Sequence, residues 1–279
     1  VNLESPLETR GIIARAMFDV VVLGCGYAGA AVARLARERH LSVVATVRNP
    51  ERAARLVADG IEVIAAPQLS AEAIARLISP QSHVVVAFSP DGETDARIAP
   101  ACAHAAAITY VSSTSVYGSR RGVIDESTPL PEEQTARSAP IVAAETTWRA
   151  VGATVLRCPA IYGADRGLHL RIVRGEHRIA GDGSAFTSRI HVEDLAQLIL
   201  ASRATRAETF VVGDLEPATQ NEIATWISHE YGVAFPERVP LASVPESLRA
   251  DRRIDPAHAL GKLDVTLRFP SFREGMKKS

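Results

Sequence analysis

Three closely spaced glycines narrow the choice of folds at once. Gly24-Cys25-Gly26-Tyr27-Ala28-Gly29 follows a run rich in β-branched residues, FDVVVLG (18–24). It opens a second run, AGAAVARLARERH (28–40), whose apolar residues recur at helical spacing. A buried strand that turns straight into a helix needs this chemistry. Gly24 permits the tight turn, Gly26 lets the main chain approach a pyrophosphate, and Gly29 lets helix and strand pack closely. The helix N-terminus then faces the anion. The spacing by itself is common, and the same glycines can serve packing alone. Their place between strand and helix favours dinucleotide binding, with Gly24, Gly26, Tyr27, Ala28 and Gly29 as its residues.

The alternation continues along the chain. Strands are expected at 41–47, 61–66, 82–89 and 108–114, then a strand and loop over 153–163. Helices are expected at 50–60, 70–79, 93–107 and 138–151; Pro50 suits a first helical turn and Ser70 a cap. Nearly continuous apolar strands separated by helices give a parallel sheet covered on both faces. The expected fold class is therefore α/β, a Rossmann-like doubly wound parallel sheet. After residue 164 the alternation weakens, leaving a strand at 208–214, a helix at 218–232 and a short C-terminal helix. The expected organisation is a disordered extension over 1–16, with Met17 as the biological start. A nucleotide-binding domain follows over 17–163, and a smaller, closely integrated C-terminal substrate lobe over 164–279.

Composition removes several classes. The net charge of −1 provides no global field for nucleic acid. No apolar run reaches 18 residues, so no membrane span is expected. Cys25, Cys102 and Cys158 are odd in number and far apart, which fits a reducing, cytoplasmic setting better than a disulfide framework. Histidines and cysteines show no zinc-type spacing, so no metal is expected. The expected partner is a small-molecule substrate, with a homodimer left open.

The end of the second strand bears on the cofactor. NAD sites usually place Asp or Glu there for the ribose hydroxyls. This chain has Val47-Arg48-Asn49-Pro50-Glu51-Arg52 instead. Arg48 can take a 2′-phosphate through a charge-assisted contact, and Arg52, one helical turn on, can assist. NADP is therefore expected in preference to NAD, unless both arginines are solvated surface charges.

The ordered set GCGYAG, TVRNPERA, YVSSTSVYG, VLRCPAIYG and RIHVEDLA resembles the extended short-chain dehydrogenase/reductase superfamily, of the NAD(P)-dependent epimerase/dehydratase type. The resemblance covers about residues 17–275. It is nearest to an atypical group similar to the bacterial YeeZ protein, which opens with GxGxxG and tends to end with a PSxREG-like segment, here Pro270–Gly275. The resemblance implies that Ser113 holds the substrate carbonyl or alcohol oxygen. It also implies that Pro159, Ala160 and Ile161 lie against the nicotinamide. Ser89 and Ser112, at the ends of the fourth and fifth strands, join the cofactor-binding candidates. Arg189, His191 and Asp194 match a stretch that is more often architectural.

One departure from the family pattern is clear. The superfamily's Tyr-x-x-x-Lys proton relay is absent: counting back from Glu145, Arg137 and Ile141 stand at its two positions. The first lysine is Lys262. Tyr117 and Tyr162 are the substitutes the sequence offers, each with an arginine four residues on (Arg121, Arg166). A phenol near pKa 10 is a poor base at neutral pH without such help. The expected function is an NADP(H)-dependent oxidoreductase acting on a small polar carbonyl, alcohol or nucleotide-sugar-like substrate. A non-catalytic NADP(H)-binding sensor or scaffold, and a redox-neutral epimerase or dehydratase, are the alternatives.

Overall fold

A computed structural model of the chain describes residues 18–66, 68–244 and 249–278. The expectations for residues 1–16 and for Met17 lie outside the described residues. Seven strands form one parallel sheet: β1 (Val20–Leu23), β2 (Val43–Val47), β3 (Glu62–Ala65), β4 (His83–Val86), β5 (Ala107–Ser113), β6 (Thr154–Cys158) and β7 (Thr209–Val211). Their order is β7-β6-β5-β4-β1-β2-β3. The order reverses between β1 and β4, which opens a crevice at the carboxyl ends of the strands.

The helices α1 (Tyr27–Glu38), α2 (Pro50–Ala58), α3 (Ala71–Leu77), α4 (Glu93–Cys102) and α5 (Ala139–Ala150) are the crossovers. Local chemistry starts two of them. The Asn49 side chain accepts from Glu51 N ahead of Pro50, and Ser70 accepts from Ala73 N. The central strands are buried on both faces, so β1 carries no polar alternation. Val20 and Val22 pack with Val32 and Ala36 of α1, while Val21 and Leu23 pack with Ile74 of α3, Ile98 of α4 and Trp148 of α5.

The later half of the chain returns to this sheet. Residues beyond 163 supply β7 and the helix α7 (Val192–Ala201), whose Leu195, Leu198 and Ile199 share a core with α1. The remaining helices are α6 (Leu168–Val173), α8 (Gln220–Tyr231), α9 (Ala257–Leu263) and the single turn α10 (Phe272–Gly275). Of these, α6 and α8 build a smaller core with Tyr162, Phe272 and Met276. Two- and three-residue ladders, each a separate pair outside the seven-stranded sheet, tie together the segments around it. The expected strand over 153–163 is divided at Pro159, which has no N–H to donate to a ladder. Its first part is β6, and Ala160–Tyr162 pairs instead with Arg189–His191.

A buried hydroxyl chain crosses the sheet. His83 Nε2 lies 2.7 Å from Thr109 Oγ1, which lies 2.7 Å from Ser202 Oγ. Ser202 donates to Ile199 O at 2.7 Å. Burial pushes the His83 imidazole down to about 3 from 6.5. A folded-state value below the unfolded one makes stability present above pH 6.5 and lost as pH falls toward 3. The loss reaches about 1.4 kcal/mol per pH unit for one such group. His83→Gln is therefore expected to flatten the acid side of the stability curve by about one proton's slope. Urea unfolding of both proteins from pH 7 to pH 4 measures this, and identical slopes would show that His83 is not the group responsible.

Candidate functional site

The glycine turn sits at the carboxyl end of β1. Gly24 has φ +82°, and a Cβ there would lie 2.8 Å from Phe88 N and 2.9 Å from Phe88 Cα. The residue at this position must be glycine for the chain after β4 to pass. A Cβ on Gly29 would meet Val22 Cγ1 at 3.0 Å, so this glycine serves helix–strand packing. Gly26 differs from both: its Cβ would meet nothing nearer than Arg52 Nη1 at 3.7 Å. Gly26 is also the N-cap of α1, where no side chain caps the helix and no acid stands in the first turn. An uncapped helix N-terminus beside an open glycine is a cradle for an anion. These residues fit the pyrophosphate of a dinucleotide.

The cradle opens into a cleft of about 600 Å³ between the ends of β1, β2 and β4. Arg48, Arg52, Ser89 and Leu69 are among its walls. Arg48, Arg52 and Ser89 are exposed. Among the described residues, no carboxylate forms an ion pair with Arg48 or Arg52. Asp91, in the same cleft, is committed to the start of α4. It accepts from Thr94 N at 2.7 Å, Thr94 Oγ1 at 2.8 Å and Glu93 N at 3.1 Å. These bonds, with Arg48 nearby, hold its carboxyl below the usual range. Tyr27 lies half-buried under the Arg166 guanidinium, 5.1 Å from its ring centroid. Ala28 and Ile161 pack partly buried against the core that α1 shares with α7.

At the end of β5 the serines divide their work. Ser112 is buried and donates to Glu145 Oε1 at 2.6 Å. Its hydroxyl is thus engaged behind the sheet. Ser113 is half-buried, accepts from Ser115 N at 3.1 Å and donates to Ser115 Oγ at 3.0 Å. It starts the 3-10 turn Thr114–Tyr117. In strand register Ser113 pairs with Cys158, which places Pro159 one residue beyond that row.

Beneath this turn lies an ion network that sequence reading missed. Glu145 accepts from Arg157 Nε at 3.0 Å, Arg157 Nη2 at 2.8 Å and Arg149 Nη2 at 2.9 Å. Arg157 Nη1 also donates to Tyr117 Oη at 3.0 Å. Burial alone would raise the Glu145 carboxyl, but the Arg157 bonds prevail and hold it below the usual range. The available signal was an arginine inside the apolar strand VLRC, which must meet an anion if buried.

Tyr117 and Tyr162 do not stand open to the cleft. Both are buried, and their hydroxyls donate to Asp125 O and Ser271 O, each at 3.3 Å. Burial raises both phenols above their ordinary value. A proton shuttle needs a phenol that reaches substrate and ionises easily, and the burial of both side chains weighs against the acid–base role expected of them. His191 and Asp194 fasten the C-terminal segment. His191 Nδ1 accepts from Glu193 N at the start of α7, and its ring centroid lies 3.7 Å from that of Phe269, the two planes tilted by 36°. Asp194 accepts from Arg268 N at 2.7 Å and Phe269 N at 2.9 Å. Among the described residues, no helix is long and apolar enough to cross a membrane.

Comparison with known proteins supports the same assignment. A family model described as NAD(P)H-binding matches residues 24–205. No curated protein sequence matches. The fold is similar to that of a functionally unknown conserved protein from Silicibacter pomeroyi DSS. That structure is 27% identical, covers 93% of this chain and 96% of its own, and has a TM-score of 0.79. MoeE5 in complex with UDP-glucose and NAD shares the fold at 21% identity, over 92% and 96% of the two chains, with a TM-score of 0.76. UDP-glucuronic acid 4-epimerase from Bacillus cereus in complex with NAD shares it at 15% identity, over the same shares, with a TM-score of 0.75. Because the family match runs from the glycine turn through α7 and takes in well over half of the chain, the protein belongs to the NAD(P)H-binding family and binds a nicotinamide cofactor.

Proposed function

We propose that the protein is an NADP(H)-dependent oxidoreductase of the atypical extended short-chain type, in the group similar to YeeZ. Its substrate in this reading is a small polar carbonyl or alcohol, or a nucleotide-sugar-like molecule. The observation that carries the reading is the cradle at Gly26, open toward the cleft and set at an uncapped helix start. Gly24, Gly26 and the first turn of α1 would hold the pyrophosphate. Arg48, assisted by Arg52, would hold the 2′-phosphate. Pro159 and Ile161 would border the nicotinamide, which when bound supplies hydride transfer to or from carbon. Ser113, whose hydrogen goes to Ser115, would hold the substrate oxygen by accepting from its alcohol form with the remaining lone pair. With Tyr117 and Tyr162 buried, the proton comes from the substrate itself or from water. MoeE5, held with UDP-glucose and NAD, and the UDP-glucuronic acid 4-epimerase, held with NAD, support the nucleotide-sugar end of the substrate range. They hold NAD, whereas the pair of arginines after β2 supports NADP here.

Isothermal titration with NADP(H) and NAD(H) tests this reading, beside Arg48→Ala. Loss of a charge-assisted contact to the 2′-phosphate is expected to cost about 1.5–3 kcal/mol in NADP(H) affinity and nothing in NAD(H) affinity. Equal affinities of the variant and the natural protein for NADP(H) would remove the cofactor preference. Failure to bind either dinucleotide would remove the oxidoreductase reading altogether.

A further inference from the structure

The serine turn after β5 carries a cation. Arg137, just before α5, is exposed, and its Nε donates to Ser115 Oγ at 3.4 Å. Among the described residues no carboxylate lies within ion-pair distance of it, and no partner is found for its two Nη groups. Such a guanidinium presents two parallel N–H groups, the arrangement that binds carboxylate and phosphate oxygens.

The hydroxyls beside it are set in one direction. A serine hydroxyl has one hydrogen to donate and two lone pairs to accept with. Ser115 Oγ accepts from Ser113 Oγ at 3.0 Å and from Arg137 Nε at 3.4 Å. Both lone pairs are used, so the hydrogen of Ser115 is the one left to donate. On the other flank, Arg252 Nη1 donates to Thr114 O at 2.9 Å, which brings a second guanidinium to the same turn. The nearby carboxylate, Glu145, is already spent on Ser112, Arg149 and Arg157.

We propose that Arg137 and Ser115 form a clamp for an oxyanion, and that the substrate carries a carboxylate or phosphate group next to the oxygen at Ser113. This rests on the proposed function for the place of Ser113, and it narrows the substrate class to acidic molecules. The shared chemistry is a planar or tetrahedral oxyanion able to accept two N–H bonds from Arg137 and one O–H bond from Ser115.

The test uses protein saturated with NADP⁺, so that the cation site after β2 is already filled. Malonate and inorganic phosphate are titrated in separate arms by calorimetry, which distinguishes the two anions. One of them is expected to saturate a single site. Arg137→Gln is expected to weaken it at least about tenfold, Arg137→Lys less, and Ser115→Ala by a few-fold. Unfolding midpoints taken on the same samples should not move with Arg137, because its side chain is on the surface. A purely structural role would move the midpoint and leave the anion affinity alone. Unchanged anion affinity in Arg137→Gln overturns the clamp, as does failure of both anions to saturate the natural protein. Anion binding that depends on Arg137 in a protein that takes no dinucleotide would overturn the proposed function and leave the clamp standing.

Discussion

Glu145→Ala is expected to lower the free energy of unfolding by about 3–5 kcal/mol. The carboxylate accepts four bonds, one from Ser112, two from Arg157 and one from Arg149. Removing it leaves the Arg157 guanidinium buried without its anion, and an uncompensated buried charge is among the largest single destabilisations known. The pair's net worth is a separate quantity. Desolvating two ions consumes much of their attraction, so an apolar replacement of both loses far less than removal of one. Glu145→Leu combined with Arg157→Leu is therefore expected to recover at least half of the loss. Urea unfolding of the three proteins decides the matter. A loss below about 1 kcal/mol in Glu145→Ala would mean that Arg157 reaches water or another acceptor, against its buried position. The pH dependence has a defined sign. Glu145 is held below its ordinary 4.5, so its contribution is present above that value and is lost as the solution is acidified further.

The same network explains where sequence reading stopped. β1, β2, β4 and β5 were legible because each is buried almost throughout and reads as a run rich in β-branched residues with no polar alternation. The glycine turn was legible because strand, turn and helix are contiguous. The Glu145–Arg157 pair joins residues twelve apart on different elements, and neither carries a local period. Tyr117 and Tyr162 looked available because both follow strand ends. Their burial depends on the ladders and the C-terminal segment that close over them, which are set by distant residues such as Asp125 and Ser271. The helix α7 was hidden for a related reason. It is buried on most of its surface, so its sequence VEDLAQLILA shows little of the polar stripe that marks a surface helix. Two-residue strands such as Ile179–Ala180 have no alternation to read.

Gly26→Ala is expected to fold like the natural protein and to bind NADP(H) about 100-fold more weakly, or about 2.7 kcal/mol. Gly24→Ala is expected to behave in the opposite order, losing stability first. At Gly24 a side chain would have to adopt φ +82° and press on the main chain of Phe88, 2.8 Å from its nitrogen. Backbone cannot retreat as a flexible side chain can, and strain of this kind costs about 1–3 kcal/mol before any clash is counted. At Gly26 a methyl group meets the flexible end of Arg52 at 3.7 Å and Gly24 O at 4.0 Å, both ordinary contacts. Among the described residues nothing needs the hydrogen at that position, so on the proposed reading the need for glycine there comes from a pyrophosphate laid across the α1 N-terminus. The methyl would hold the pyrophosphate away from the first-turn N–H groups, which lose their short contacts to it. Thermal unfolding and NADP(H) titration of the two variants separate the fold's requirement from the ligand's. If Gly26→Ala keeps its affinity, the dinucleotide does not cross α1 at that point. If it loses both stability and affinity together, the open space beside Gly26 belongs to the fold rather than to the cofactor.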